Sequence, residues 1–439
     1  MRENAKKILN YIKNSPSPYH AVNTIKKQLL ANNYTELNEN EKWDLEPGKN
    51  YFTIRNNTSI VAFSLGNDLN DYNFNIAVSH TDSPSFKLKE NAQITIDDKY
   101  TKLNTEGYGG MICSTWLDRP LSIAGRVIVK KDNTFETKLI NFDRDLILIP
   151  NLAIHMNRSV NDGYKYNNQI DLLPLLSGKK EDENIVNKMI AEELNISVQD
   201  IYGSDLFLYN RMEPTIWGLN DEFISAPQLD DLQCAFSSLE ALLNAKPNQA
   251  INVIACFDNE EVGSQTKQGA GSTLLYDVLF RINEGLGKNQ EEFYRSLASS
   301  FMISCDNAHA KHPNHPEKTD QTNCTFMNEG IVIKSHAGQK YTSDGLSIAL
   351  FKNYCEKANV PYQFFANRSD MVGGSTLGNI AMNQVSINSV DVGLAQLAMH
   401  STYETAGVKD IKYLIDVLTL FFNSNIKQKN VSEIIINGK

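Results

Sequence analysis

The stretch Ile251–Ser264, INVIACFDNEEVGS, decides how this chain is read. Its first seven residues form a short apolar run, the pattern of a strand buried on both faces. The run stops at Asp258, Asn259, Glu260 and Glu261, and Val262-Gly263-Ser264 follows. Two like charges at about 4 Å repel by roughly 1 kcal/mol even in bulk water, and by more near a protein surface. A proton, an arginine or a metal cation relieves such a pair. Taken alone, the stretch is a solvated acidic turn. Its surroundings in the sequence change that reading.

Outward from this point the same event recurs. The apolar run 75–79 meets His80, Thr81 and Asp82, and the run 301–305 meets Asp306. A helix predicted over 230–243 opens on Asp230 and Asp231. The segment Asn388–Gly393 leads to His400. Strand-like and helix-like patterns alternate from about residue 223 onward. That rhythm predicts an α/β fold with a mixed, largely parallel sheet covered by helices on both faces. The N-terminal part contributes helices over 5–12 and 22–29, separated by Ser15-Pro16-Ser17-Pro18, and then strands. Between 95 and 222 the texture changes to short alternating segments with one helix near 185–194, as in an inserted, mostly β domain. The division expected is 1–94 and 223–439 for the catalytic domain, with 95–222 inserted.

The 439 residues are 41% hydrophobic and 21% charged, an ordinary globular balance. A net charge of −10 argues against nucleic acid or an anionic membrane as partner. The sequence has neither a signal-peptide core nor an apolar run long enough to span a bilayer. Six scattered cysteines, with no C-x-x-C pair, read as core residues in a reducing compartment, which places the protein in the cytoplasm.

In an open α/β sheet, sites form beyond the carboxyl ends of the strands. Here several such ends carry histidine or carboxylate and none carries cysteine, a donor set that suits a catalytic zinc or related divalent site. His80, Asp230, Glu261, Asp306 and His400 supply enough positions for two metals if Asp230 bridges them. Glu260 is then free to act as a general base. Its divergence from Glu261 is expected because successive side chains leave an extended backbone in different directions.

The chain resembles the aspartyl aminopeptidase family of dinuclear zinc exopeptidases nearly end to end. The resemblance is carried by SPSPYHAV, SHTDSPSFKLK, NLAIHMNR, QLDDLQCAF, DNEEVGS with QGAGS, SCDNAHAKHPN, GIVIK with QKY, GGSTLG and GLAQLAMHSTYE. It implies that His80, Asp230 and Asp306 hold one zinc and that Asp230, Glu261 and His400 hold the other, with Co2+ or Mn2+ as possible substitutes. It implies Glu260 as general base and Asp82 as the acid that orients a ligand. His155 is similar to a histidine that reaches a neighbouring subunit's substrate, and has also been a candidate metal ligand. Lys334 is similar to the lysine that contacts an acidic first side chain. The loop with Gly374 and Ser375 lacks the lysine of a P-loop and reads as a lining of the substrate pocket.

The function implied is hydrolysis of the N-terminal residue of peptides bearing a free amine, with a preference for Asp or Glu. The resemblance also implies dimers, joined through the inserted domain and assembled into a tetrahedral dodecamer. Two other readings compete: a broad-specificity aminopeptidase or deacylase, and a silent peptide-binding shell.

Overall fold

The computed structural model describes residues 1–246 and 249–437. Its centre is a nine-stranded sheet. In spatial order the strands are Thr35–Glu36, Asn50–Arg55, Ser59–Leu65, Ile251–Phe257, Phe74–His80, Phe301–Cys305, Asn388–Gly393, Ile331–Lys334 and Tyr362–Phe365. The four strands from Ile251–Phe257 to Asn388–Gly393 run parallel, with antiparallel neighbours on either side. The expected mixed, largely parallel sheet is the one observed.

Alternation along the buried strands feeds two cores. Ile254 and Cys256 face a layer that holds Leu232, Phe236, Leu239, Phe351, Leu414 and Phe421. Val253, Ala255 and Phe257 face the opposite layer, with Leu274, Val278, Ile282 and Phe293. Helices therefore cover both faces, and the continuous apolar run Ile251–Phe257 is explained.

Helices Arg2–Lys13 and Pro18–Ala31 stand on either side of the Ser15–Pro18 break. Helix Gln290–Ala298 and a hairpin of Asn425–Asn430 with Glu433–Asn437 are additions that the sequence reading lacks. The helix had a signal: Asn289 and Glu292 form a reciprocal capping box.

A second sheet of six strands is antiparallel throughout. Its order is Thr134–Asn141, Leu121–Lys131, Ile201–Asn210, Ser85–Ile96, Tyr100–Tyr108 and Leu175–Ser177. It has its own core, including Phe86, Trp116, Val127 and Leu206. A third sheet joins Thr215–Trp217, Phe223–Ala226, Glu404–Gly407, Ala395–Leu397 and Ala308–His309. This small sheet matters for the site, because His400 lies in the connection between two of its strands. All six cysteines are free. Among the described residues, no helix is long and apolar enough to cross a membrane.

Candidate metal centre

Parallel pairing sets the strand ends side by side. Phe257 pairs with His80 in register, so the run into Glu260 and the run into Asp82 leave the sheet together. Asp306 follows the next strand directly and donates its N–H to Val392 O at 3.0 Å. Asp230 lies in the first turn of helix Leu229–Asn244 with non-helical φ −84°, ψ 109°, which turns it away from a simple capping role. His400 has φ +68° in the connection between Ala395–Leu397 and Glu404–Gly407.

Glu260–Val262 is a 3-10 turn entered through Asn259 at φ +61°, not the extended backbone the sequence suggested. Glu260 and Glu261 part because successive side chains on a three-residue turn point about 120° from one another.

Two buried carboxylates tie these segments together. Asp82 is fully buried and accepts Glu260 N–H on Oδ1 and Glu261 N–H on Oδ2, each at 3.2 Å. Its backbone carbonyl is 3.0 Å from His80 Nδ1. Glu404 accepts the N–H of Asp230 at 3.0 Å and that of His400 at 2.7 Å. Glu404 was legible only as the last residue of a quoted motif, and its role depends on a fold that brings residues 230 and 400 together.

The donor atoms fit a divalent metal pair. His80 and His400 place Nδ1 against backbone carbonyls, of Asp82 and Gly110, at 3.0 and 2.6 Å. Nδ1–H donating there is the tautomer that would leave each Nε2 free to ligate a metal. Both Nε2 atoms face carboxylate oxygens. His80 Nε2 is 3.5 Å from Asp230 Oδ1, and His400 Nε2 is 3.5 Å from Asp230 Oδ2 and 3.4 Å from Glu261 Oε2. Two tetrahedral ligands at zinc distances sit about 3.3 Å apart, which matches this spacing.

Asp230 Oδ1 and Glu261 Oε1 are buried and accept no hydrogen bond from the described residues. The atoms of His80, Asp230 and Asp306 form one group within 4.8 Å, and those of Asp230, Glu261 and His400 form another. Asp230 is common to both. Glu260 appears beside His80 and Glu261 in a third group.

The electrostatics carry the same message. Burial pushes Glu260 up to about 8, with His80 opposing and Asp306, Asp82 and Asp230 adding. Asp306 rises to about 6 through burial, against the pull of Lys334. Burial and Asp230 push Glu404 up to about 8. Burial works against a charged His80, yet Asp230 and Asp82 hold its pKa above the ordinary range. Against burial, Asp230 likewise raises His400 to about 9, so both histidines share the countercharge with the Lys334 ammonium, 3.7 Å from Asp306 Oδ1, and a divalent metal would supply the remainder.

The other expected residues lie outside these groups. Lys334 ends its strand, buried, with Nζ donating to Asn307 O at 3.0 Å and lying 5.6 Å from the Tyr341 ring centroid. Gly374 and Ser375 are exposed in a loop whose neighbour Gly373 accepts Lys340 Nζ at 2.6 Å. His155 is exposed in a turn of the 95–222 segment. Tyr108 was missed altogether, and it donates to Asp82 Oδ2 at 2.6 Å.

Comparison with known proteins extends this picture. The pattern of the family described as aminopeptidase I zinc metalloprotease (M18) matches residues 11–422. The chain is 48% identical over 427 residues to a probable M18 family aminopeptidase 2 of Clostridium acetobutylicum, covering 96% of this chain and 99% of that one. It is 36% identical over 470 residues to an aspartyl aminopeptidase of Dictyostelium discoideum, covering 96% and 97%. The fold is similar to that in a cryo-EM structure of the Ape4 and Nbr1 complex, with TM-score 0.92 and 35% identity over 96% of this chain and 86% of that one. It is also similar to the S. cerevisiae mApe1 dodecamer, with TM-score 0.82 and 25% identity over 96% and 97%.

Proposed function

This chain belongs to the M18 family of zinc aminopeptidases and is a peptide-bond hydrolase, and on that premise we propose that it removes N-terminal Asp or Glu from peptides at a dinuclear zinc centre. His80, Asp230 and Asp306 would hold one ion, and Asp230, Glu261 and His400 would hold the other. The observation that carries this reading is Asp230, which offers one oxygen to each histidine and leaves Oδ1 without a hydrogen bond. Bound zinc supplies a Lewis acid for the scissile carbonyl and lowers the pKa of water.

Glu260 is the carboxylate left over, and we assign it as general base. It takes a proton from the attacking water and delivers it to the leaving amine as the C–N bond breaks. Asp82 orients His80 through its carbonyl and the Glu260 turn through its side chain. The substrate's free amine is held by the carboxylate-rich edge.

Acidic preference rests on Lys334. It is a fixed, buried cation beside Asp306, in a protein whose net charge otherwise repels acids. The name of the Dictyostelium relative points the same way. Gly374 and Ser375 line the pocket from their exposed loop. His155 contributes from a neighbouring subunit. We further infer that the segment 95–222, with the strand Ser85–Ile96 that leads into it, joins dimers that assemble as a tetrahedral dodecamer. The S. cerevisiae relative supports the dodecamer. Six free cysteines suit a reducing cytoplasm.

The deciding experiment combines metal analysis with turnover of Asp- and Leu-aminoacyl substrates. Zinc-dependent turnover that favours Asp supports the reading. Equal or greater turnover of Leu overturns the acidic preference.

A further inference from the structure

The strand Tyr100–Tyr108 belongs to the antiparallel sheet, yet the three residues at its end reach the metal centre. Tyr108 donates its hydroxyl to Asp82 Oδ2 at 2.6 Å and accepts Asn259 Nδ2 at 2.8 Å. The amide nitrogen can only donate, so the hydroxyl proton is committed to Asp82. The Tyr108 ring stands edge-on to Phe207 with centroids 5.5 Å apart, which fixes the oxygen independently of Asp82.

Gly109 follows at φ +74°, and a Cβ there would lie 3.1 Å from Glu261 Cβ. The Gly110 carbonyl is 2.6 Å from His400 Nδ1, and Ile112 N–H donates back to His400 O at 3.0 Å. One short turn thus touches the anchor of Glu260, the stem of Glu261 and the ring of His400.

We propose that Tyr108, Gly109 and Gly110 form a positioning element of the zinc centre, in which the Tyr108 hydroxyl acts through Asp82 on the Glu260–Glu261 turn. The proposal rests on the roles assigned above to those residues. Asp82 has no exposure to water, and its two bonds to the turn are long, at 3.2 Å each. The tyrosine bond is its shortest. Without it, Oδ2 keeps a single long donor. The carboxylate can then rotate toward His80 Nδ1, already 3.4 Å from Oδ1, and release the turn. Catalytic geometry is thereby tied to the seating of the antiparallel sheet.

Tyr108→Phe keeps the ring and removes the hydroxyl. We expect kcat to fall about 10- to 100-fold, the range for groups that orient metal ligands from outside. KM should stay within about two-fold, because the lost interaction orients catalytic groups rather than binding substrate. The visible absorption bands of the Co2+-substituted enzyme should shift. In an Asp82→Asn background the same change should cost less than about two-fold more, since the two groups act as a unit. Gly109→Ala, which presses on Glu261, should also shift the cobalt bands.

Wild-type kcat with an unshifted cobalt spectrum in Tyr108→Phe overturns the proposal. So does an undiminished loss in the Asp82→Asn background. The cobalt measurement is repeated in Glu260→Gln, where no base is needed. An unshifted spectrum there counts against Tyr108 alone. Wild-type turnover by Glu260→Gln counts against the base assignment alone.

Discussion

At the joint between the two large sheets, Asp205 meets Lys87 Nζ at 2.7 Å, Arg126 Nε at 2.8 Å and the Tyr19 hydroxyl at 3.2 Å. Burial would raise its pKa, but Lys87 and Arg126 outweigh that and hold it below the ordinary carboxylate range. At the exits of the parallel strands, Asp230, Glu260, Glu261 and Asp306 fall with His80 and His400 in overlapping groups whose atoms lie within 4.8 Å of one another, and Lys334 is 3.7 Å from Asp306. There burial and mutual repulsion push Glu260 and Asp306 upward. The joint carries its countercharge in lysine and arginine; on the function proposed above, the strand exits import theirs. A carboxylate cluster satisfied by arginine and lysine holds parts together. One that surrounds two imidazole nitrogens is a place for metal.

That contrast breaks if the strand exits behave like the joint. The largest expected effect is on catalysis: Glu260→Gln should retain zinc yet lose about 100- to 10,000-fold in kcat, the usual worth of general acid–base catalysis. A steady-state assay on metal-loaded protein reads it, and near-wild-type turnover removes Glu260 from its role. Metal removal is next. Dialysis against a chelator should abolish activity and lower the melting temperature, because zinc binds the folded chain. Asp205→Asn should leave zinc content unchanged and cost about 1.5–3 kcal/mol of stability, as expected for lost hydrogen bonds to charged groups. Denaturant titration of both proteins measures it, and zinc loss in the variant would show the two clusters to be one.

The pH responses sharpen the comparison further. Asp205 is a depressed carboxyl, so its contribution is present above the unfolded value near 4 and is lost as pH falls through the folded value below it. Zinc affinity should weaken earlier on acidification, since protons compete for histidine and for the raised carboxyls. Melting curves with and without chelator across pH 4–8 separate the two. The smallest effect is on selectivity: Lys334→Ala should reduce turnover of Asp substrates more than of Leu substrates. An equal loss on both would leave Lys334 as a partner of Asp306 and nothing more.

Much of the centre was legible because each contributing strand is apolar up to its last residue and then changes chemistry. His80, Asp306 and the acidic pair after Phe257 are visible that way, and the parallel sheet brings such ends together. The turn at Glu260 was misjudged as extended, because the left-handed Asn259 that starts it is a backbone choice with only a weak residue signal. Glu404 and Tyr108 escaped notice for another reason. Glu404 joins nearby His400 to Asp230, 174 positions away, and Tyr108 reaches Asp82, 26 positions away, through sheets whose pairing the local sequence does not specify. The signals present were a Gly-Gly pair after Tyr108 and a carboxylate inside an otherwise apolar and hydroxyl-rich segment.

The shared oxygen pair of Asp230 is the claim on which the rest depends. Zinc counted per subunit by elemental analysis, in the wild-type protein and in Asp230→Ala shown to be folded by circular dichroism, tests it directly. The account predicts two zinc ions in the wild type and the loss of both in the variant. Two ions retained by Asp230→Ala, or none bound by the wild type, would contradict it.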